Sequence, residues 1–448
     1  MEKQSIDTIQ PDADREDVAL PVSSKRRHVL KSGAAAAALM GFPFIHSKYA
    51  MAETGRAIKI GYVIPKTGPL AVFAETDKYV IAQLANVFKA GVTINGKTHP
   101  VQLIEKDSQS TPNRAGEVAS DLILKDKVDL MLAGATPETV NPVSDQCELN
   151  EVPCITTLCP WQPWFFTRGG DPAKGFNWTF HYFWGLEDII AVFTNMWDSL
   201  PTNKLVGALF PNDGDGNAWG DPERGFPKPL AAKGYKLADP GRYQNLQQDF
   251  SAQIAAFKKA NCEIVTGVVI PPDFKTFWTQ AAQQGYKPKA VSVGKAYLVP
   301  PGVEAIGDIA DGLSSEIFWS PSFPFKSSLT GETGRQLADG YEKNTGRQWT
   351  QILGYTHSLF ELAFDVLKRT KNLDKRESVR DAIVATNLNT MVGPISWGKG
   401  PVRNVAKCPL VGGQWVKGKG KFKFDLMIVN NKTAPNIPVD AKMKVIGS

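Results

Sequence analysis

Side chains that could carry out catalysis or hold a cofactor are sparse in this sequence. Beyond residue 52 it contains three histidines, His99, His181 and His357. It lacks the Cys-x-x-Cys-His motif of covalent haem, the Cys-x-x-Cys pairs of metal sites, the His-Glu-x-x-His zinc motif and the Gly-x-Ser-x-Gly nucleophile elbow. The sequence therefore predicts neither enzymatic activity nor a bound cofactor.

One acidic segment imitates a metal site. Asp213-Gly-Asp215-Gly-Asn217 has the alternating oxygen ligands with which a calcium-binding loop begins. The sixth position of such a loop needs glycine and holds Ala218, while the twelfth needs a bidentate acid and holds Arg224. A turn between a strand and a helix explains the segment better, and we predict no metal.

The five cysteines are odd in number, so at least one thiol stays unpaired even in an oxidising compartment. Cys154 and Cys159 are near enough in sequence to form a disulfide if the backbone turns between them. Their spacing matches neither a redox motif nor a zinc motif. The sequence leaves open the pairing of all five residues, Cys147, Cys154, Cys159, Cys262 and Cys408.

A repeated alternation of apolar strands and helices must position any functional residue. Ala57–Ile64 is rich enough in β-branched and aromatic residues to form a buried strand, and further strands are expected at His99–Lys106, Val128–Ala133 and Pro153–Thr156. An aromatic-rich stretch between Leu158 and Trp184 interrupts the alternation, which then resumes. The pattern predicts the α/β class, with two doubly wound parallel-sheet lobes.

The loops that follow the strands are the places to look for a binding site. In an open parallel sheet, the loops at the carboxyl ends of the strands line the ligand crevice. On the first lobe these loops are Pro65–Phe73, Asp107–Thr111, Gly134–Thr139 and Leu158–Trp164. On the second lobe they are Asn212–Trp219, Pro271–Phe274 and Gly294–Tyr297.

The first strand and its loop also carry a family resemblance. The pattern Ile-Gly-x-x-x-Pro-x-Thr-Gly-Pro-x-Ala-x-Phe, which runs from Ile60 to Phe73, resembles the start of type I periplasmic solute-binding proteins, the leucine/isoleucine/valine-binding family of ABC importers. The order and spacing of the elements are similar over Ala57–Asn430. This resemblance implies two lobes joined by three crossover segments, one of them at Gly393–Trp397, that close on a solute like a hinged trap. It implies lobe 1 from residues 53–182 and 318–390, and lobe 2 from residues 183–317 and 391–448.

The same resemblance implies a function without chemistry. The protein would deliver a small solute to a membrane permease and its ATPase subunits, which must be separate chains. A ligand-sensing receptor domain of the same fold is one alternative, and an exported enzyme is another. The formal net charge of +6 is small for this length and does not point to nucleic acid.

The solute class follows from how the binding loops depart from the family. Relatives hold a ligand carboxylate with two hydroxyls and an ammonium with an acid, but the matching positions here are Pro137, Pro160 and Ala296, with Lys295 beside the last. This departure favours an aromatic or other amine-free acid, or a neutral apolar solute. A shift of the alignment by one or two residues would restore the missing groups. The candidate ligand-binding residues are Phe73, Thr136, Glu138, Thr139, Leu158, Cys159, Trp161, Trp219, Ile270, Lys295, Ala296 and Tyr297.

The first 52 residues are predicted to be an export signal. Lys25-Arg26-Arg27, followed by an apolar pair and Lys31, matches the twin-arginine pattern. An alanine-rich stretch and the small-residue site Ala50-Met51-Ala52 follow. We therefore expect passage through the twin-arginine (Tat) machinery, cleavage after Ala52 and a periplasmic protein long enough for two lobes.

Overall fold

Two sheets organise the residues that the computed structural model describes, 53–447, whereas the predicted export signal at 1–52 lies outside them. The strands are β1 (Glu53–Thr54), β2 (Ile58–Ile64), β3 (Val92–Ile94), β4 (Lys97–His99), β5 (Val101–Asp107), β6 (Leu130–Gly134), β7 (Cys154–Thr157), β8 (Thr179–Tyr182), β9 (Leu205–Leu209), β10 (Lys236–Ala238), β11 (Ile264–Val268), β12 (Ala290–Gly294), β13 (Ser314–Ile317), β14 (Asn387–Thr390), β15 (Gly393–Ser396), β16 (Val405–Ala406), β17 (Val411–Lys417) and β18 (Phe424–Asn430).

Helices connect most of these strands. They are α1 (Asp77–Gln83), α2 (Ala85–Ala90), α3 (Pro112–Leu124), α4 (Pro137–Leu149), α5 (Trp161–Phe166), α6 (Leu186–Trp197), α7 (Gly214–Trp219), α8 (Pro227–Ala232), α9 (Ser251–Lys259), α10 (Pro271–Gln283), α11 (Pro300–Ile306), α12 (Gly334–Thr345), α13 (Gln351–Arg369) and α14 (Arg376–Val384). Short 3-10 helices lie at Ala71–Ala74, Gly307–Ala310 and Trp397–Lys399. Within the described range, no helix is both long and apolar enough to span a bilayer.

The first sheet is entirely parallel and has the order β16-β8-β7-β6-β2-β5. Its side chains alternate between two helical layers, as the two-residue period of a strand requires. Tyr62 contacts the ring of Phe360 on α13, with ring centroids 5.7 Å apart, whereas Val63 packs in a cluster with Val118 and Leu122 on α3. Burial on both faces explains why these strands are almost continuously apolar.

The second sheet has the order β10-β9-β11-β12-β13-β17-β18. Its first five strands are parallel, and β17 and β18 add an antiparallel edge. The α/β class with two lobes is therefore confirmed. The chain passes between the two sheets after β8, after β13 and after β16.

The last passage differs from the sequence-based expectation. We expected a crossover at Gly393–Trp397 and assigned residues 391–448 to lobe 2. Instead β15 folds back on β14 as a hairpin, and Val405–Ala406 pairs with β8 as the edge strand of the first sheet. A strand of two residues carries no periodic signal, so sequence patterns did not reveal it.

Short elements account for the other differences. The apolar pattern of Glu75–Lys89 predicts one helix, but the structure has two, α1 and α2, which meet at Leu84. The aromatic stretch after Leu158 contains α5, and Asn212–Trp219, expected to be a turn, contains α7. The cysteines, whose pairing the sequence left open, are all buried free thiols.

Candidate functional site

A cavity with about 360 Å³ of empty space, including its opening to solvent, lies between the carboxyl ends of the two sheets. The first sheet contributes residues that follow β2, β6, β7 and β8: Phe73, Thr136, Leu158, Pro160, Phe183 and Trp184. The second sheet contributes residues at or after the ends of β9, β11, β12 and β13: Asp215, Trp219, Val268, Lys295, Leu298, Glu316 and Phe318. This is the crevice that doubly wound topology creates for a ligand.

Aromatic rings form much of the cavity wall. Trp219 is fully buried and stacks on Phe226 with ring centroids 4.9 Å apart and an interplanar angle of 13°. The rings of Phe183 and Phe318, which also line the cavity, lie 5.2 Å apart. Because these rings are packed against neighbours, they offer a preformed apolar surface to a solute.

A buried ion pair lies in the same wall. Nζ of Lys295 is 2.5 Å from Oδ2 of Asp215, and the two side chains are 6% and 2% exposed. Burial lowers the pKa of the Lys295 ammonium, but attraction to Asp215, Asp213 and Glu138 outweighs it and holds the pKa above its ordinary value. Burial raises the pKa of Asp215 to about 7, although the charge of Lys295 opposes this rise.

Glu316 adds a second carboxyl group to the cavity. It lies on β13, is 2% exposed and accepts a hydrogen bond of 2.6 Å from the hydroxyl of Ser315. Burial raises its pKa to about 7. A Cβ atom at Gly294 would lie 2.8 Å from the ring of Trp219 and 3.2 Å from Oε1 of Glu316, so glycine at this position leaves space for both side chains.

Several buried polar atoms around the cavity have no hydrogen-bond partner among the described residues. They are Oδ1 of Asp215, Oγ1 of Thr136, Nε1 of Trp184 and Nε1 of Trp219. A buried polar atom without a partner costs about 1–3 kcal/mol. A solute that paired with these atoms would recover that free energy, so the cavity has both an acceptor and donors available for binding.

Two contacts join the lobes beside the cavity. The backbone N–H of Gly214, at the start of α7, donates a hydrogen bond of 2.9 Å to Oε1 of Glu138 on α4. The guanidinium of Arg224 lies 4.3 Å from the ring centre of Phe166 on α5. Because each contact connects an element of the first lobe with one of the second, the structure has the lobes closed on the cavity.

The predicted site residues divide into two groups. Those that line the cavity are Phe73, Thr136, Leu158, Trp219 and Lys295. Those that do not are Glu138, Thr139, Cys159, Trp161, Ile270, Ala296 and Tyr297. Several of the second group are engaged elsewhere: Trp161 donates to Glu187 at 3.2 Å, and the hydroxyl of Tyr297 donates to the carbonyl of Ser314 at 2.9 Å.

The second lobe supplies acids to the cavity at positions other than Ala296, the position that the resemblance matches to the acid of relatives. Asp215 and Glu316 both supply carboxyl groups to the cavity, and Lys295 is paired rather than free. Asp215 lies in a loop that the sequence had singled out, but its acidity was interpreted only as an imitation of a calcium ligand. In the structure the carboxylate of its neighbour Asp213 instead caps α7 by accepting the Gly216 N–H at 2.7 Å. Within residues 53–447, no group of three or more potential ligands is arranged to hold a metal.

Sequence comparison places these features in a known context. A family model described as periplasmic binding protein matches residues 57–419. A leucine-binding protein from Thermotoga maritima superposes with a TM-score of 0.67 at 19% identity, covering 84% of this chain and 99% of its own. The branched-chain amino acid binding protein of Streptococcus pneumoniae, in complex with isoleucine, gives a TM-score of 0.64 at 15% identity. The match covers 84% of this chain and 99% of that protein. A solute-binding protein from Rhodopseudomonas palustris, in complex with 4-hydroxybenzoate, gives a TM-score of 0.66 at 17% identity. The match covers 87% of this chain and 98% of that protein.

Proposed function

Since this chain belongs to the periplasmic binding protein family, we propose that it captures a small solute between its lobes and delivers it to the permease of an ABC importer. The observation that carries the proposal is the cavity itself, which lies at the carboxyl ends of both sheets behind contacts that join the lobes. Transport through the membrane requires permease and ATPase subunits as separate chains. The twin-arginine pattern of residues 25–31 supports export to the periplasm, where such a protein meets its solute.

The size and chemistry of the cavity restrict the solute. The cavity is narrow, because bulky aromatic side chains occupy much of its wall, and this favours a small solute. The aromatic wall favours an apolar or aromatic body. An aromatic acid without an amine, the class expected from the sequence, stays among the solutes to test because one relative binds 4-hydroxybenzoate. It would have to share Lys295 with Asp215.

A thermal-shift screen with amino acids, aromatic acids, amines and amides tests the proposal. A true solute at one hundred times its Kd adds about 2.7 kcal/mol to the free energy of unfolding. Small-angle scattering should then show a smaller radius of gyration, because closing a hinge between rigid lobes compacts the molecule. If no solute in the screen raises the melting temperature, or if a confirmed solute leaves the scattering profile unchanged, the proposal fails.

A further inference from the structure

The charges around the cavity suggest a solute class that differs from both amino acids and aromatic acids. We propose that the solute is a small organic cation, a protonated amine on an apolar or aromatic body that carries a neutral oxygen and no carboxylate. This inference rests on the proposed function, since it identifies what the same cavity captures.

Acidic side chains outnumber basic ones around the cavity. Three ionisable side chains line the cavity, and the single cation among them, Lys295, is already paired with Asp215 at 2.5 Å. Glu316 forms no ion pair with a lysine or arginine of the described chain. Glu138 and Asp213, just outside the cavity wall, act on Lys295 as further negative charges. The cavity therefore has more acids than bases and favours a positive solute.

The free hydrogen-bonding atoms on the second lobe include carboxylate acceptors. Oδ2 of Asp215 accepts from Lys295, but Oδ1 is buried without a donor. Asp215 and Glu316 thus provide two carboxyl groups on the second lobe. An ammonium group can donate charge-assisted hydrogen bonds to both, whereas a solute carboxylate would be repelled by them.

The aromatic rings support the same class. The rings of Phe73, Trp184 and Trp219 line the cavity with the carboxyl groups, and Trp219 is held in place by its stack on Phe226. Faces of Trp and Phe attract cations, with energies that increase when water is excluded. An amine attached to an apolar body would use both the rings and the acids.

The remaining free groups specify the other end of the solute. Oγ1 of Thr136 and the indole N–H groups of Trp184 and Trp219 are donors without acceptors. A hydroxyl, ether or carbonyl oxygen satisfies them without adding negative charge. A zwitterion would also supply an acceptor, but its carboxylate would bring a negative charge into the cavity with Asp215 and Glu316, which a neutral oxygen does not.

Matched sets of three compounds test the inference. Tyramine, tyrosine and 3-(4-hydroxyphenyl)propanoate share a phenol and a short chain, and differ only in their charged groups. The aliphatic set is 3-methoxypropylamine, O-methylhomoserine and 4-methoxybutanoate, which share an ether oxygen. We expect isothermal calorimetry to show that the amine of at least one set binds at least about tenfold more tightly than both its partners, the factor that one charge-assisted hydrogen bond provides.

Substitution of the unpaired acid gives a second test. Glu316→Gln keeps the shape of the side chain and should reduce amine affinity about tenfold or more, while the affinity for the matched acid stays constant or rises. The control is Glu361→Gln, another buried carboxyl, which accepts hydrogen bonds from Ser328 and Met391 and does not line the cavity. It should leave the ratio of amine to acid affinity unchanged.

The outcomes separate the inference from the proposed function. Tighter binding of the zwitterion or the acid in both sets would contradict the proposal of a cationic solute and would still support solute capture. Failure of both amines to bind also overturns the cation, while the wider screen still decides solute capture. Should Glu316→Gln not fold, the wild-type comparison within each set decides alone.

Discussion

The indole of Trp219 both fills the second lobe and lines the cavity. It is fully buried, and its ring stacks on Phe226. Trp219→Ala should lower the free energy of unfolding by about 3–5 kcal/mol, as truncation of a buried tryptophan does. It should also weaken solute binding by at least about 2 kcal/mol if the ring is a desolvated anchor. Chemical denaturation and calorimetry measure the two effects separately.

Trp278 provides the matched control for that substitution. It is nearly buried in the same lobe and donates to the carbonyl of Ile309 at 2.7 Å, away from the cavity. Trp278→Ala should therefore reduce stability without reducing solute affinity. Normal affinity in Trp219→Ala, with only its stability reduced, would assign Trp219 a purely structural role.

Lys295 is the residue whose loss should damage the fold most by charge alone. Lys295→Met removes the partner of a buried carboxylate, and breaking such a pair costs about 3–5 kcal/mol. The cost should be smaller at pH 5 than at pH 8, because protonation of Asp215 removes the uncompensated charge. The exposed pair of Lys228 and Glu223 is the control, and Lys228→Met should leave the denaturation midpoint unchanged. Equal effects of the two substitutions would contradict the importance of burial.

Asp77 should make stability depend on pH. Burial raises its pKa to about 8, although hydrogen bonds from Tyr62 and Thr356 oppose this rise. The folded protein holds this proton more tightly than the unfolded chain does. Protonated Asp77 therefore stabilises the folded state fully at low pH, and this stabilisation is lost as pH rises through about 8. Asp77→Asn should therefore make the fall of the melting temperature between pH 5 and pH 8 shallower. Asp339→Asn, at an exposed carboxyl, should not, and an unchanged slope in Asp77→Asn would refute the assignment.

At the scale of elements, α4 and α7 hold the closed state together. Glu138→Ala removes the acceptor of the Gly214 N–H without touching the cavity wall. One such hydrogen bond is worth about 1 kcal/mol, so solute affinity should fall about three- to tenfold while the unfolding transition stays in place. Glu117→Ala, at an exposed residue of α3 that pairs only with Arg114, is the control. Equal affinities in the two variants would show that this contact does not stabilise closure.

The elements themselves show what sequence reasoning can reach. The sequence pattern predicts helices over Gly334–Thr345 and Ile352–Thr370, and α12 and α13 match these bounds to within one residue. Both helices are long, amphipathic and preceded by threonine at the N-cap, which makes them easy to recognise. Helices such as α5 and α7, of six residues each, span fewer than two turns, which is too short for the apolar pattern to repeat, and they were missed. Their formation depends on tertiary packing, which outweighs local propensity in short segments.

The same limit applies to the cavity. Phe73, Thr136 and Lys295 lie in loops after strands that the sequence pointed to, and they line the cavity because the topology of a parallel sheet determines which loops meet. Glu316 was missed because it lies within a strand, where an acid gives no sign of the direction in which its carboxyl group points. The pairing of Lys295 with Asp215 joins residues 80 positions apart, and only the folded chain brings them into contact.

For the whole molecule, the proposed export through the twin-arginine pathway would determine where the protein meets its solute. Replacing Arg26 and Arg27 by lysine should leave the precursor in the cytoplasm, because the twin-arginine pathway requires the arginine pair. Fractionation followed by immunoblotting measures this, and Lys25→Arg in the same segment is the control, since it leaves the pair intact. Full export of the doubly substituted precursor would exclude this pathway.

The burial of all five cysteines has a practical consequence. A thiol-reactive dye should not label the folded native protein, so a single cysteine added at the surface becomes the unique point of attachment. Asn217 is exposed on α7, in the groove that also contains Phe166 and Arg224, where the lobes meet. An environment-sensitive fluorophore on Asn217→Cys would change its emission as the groove opens and closes. The protein is thus a ready scaffold for a reagentless optical sensor of its own solute, with no native residue to be removed first.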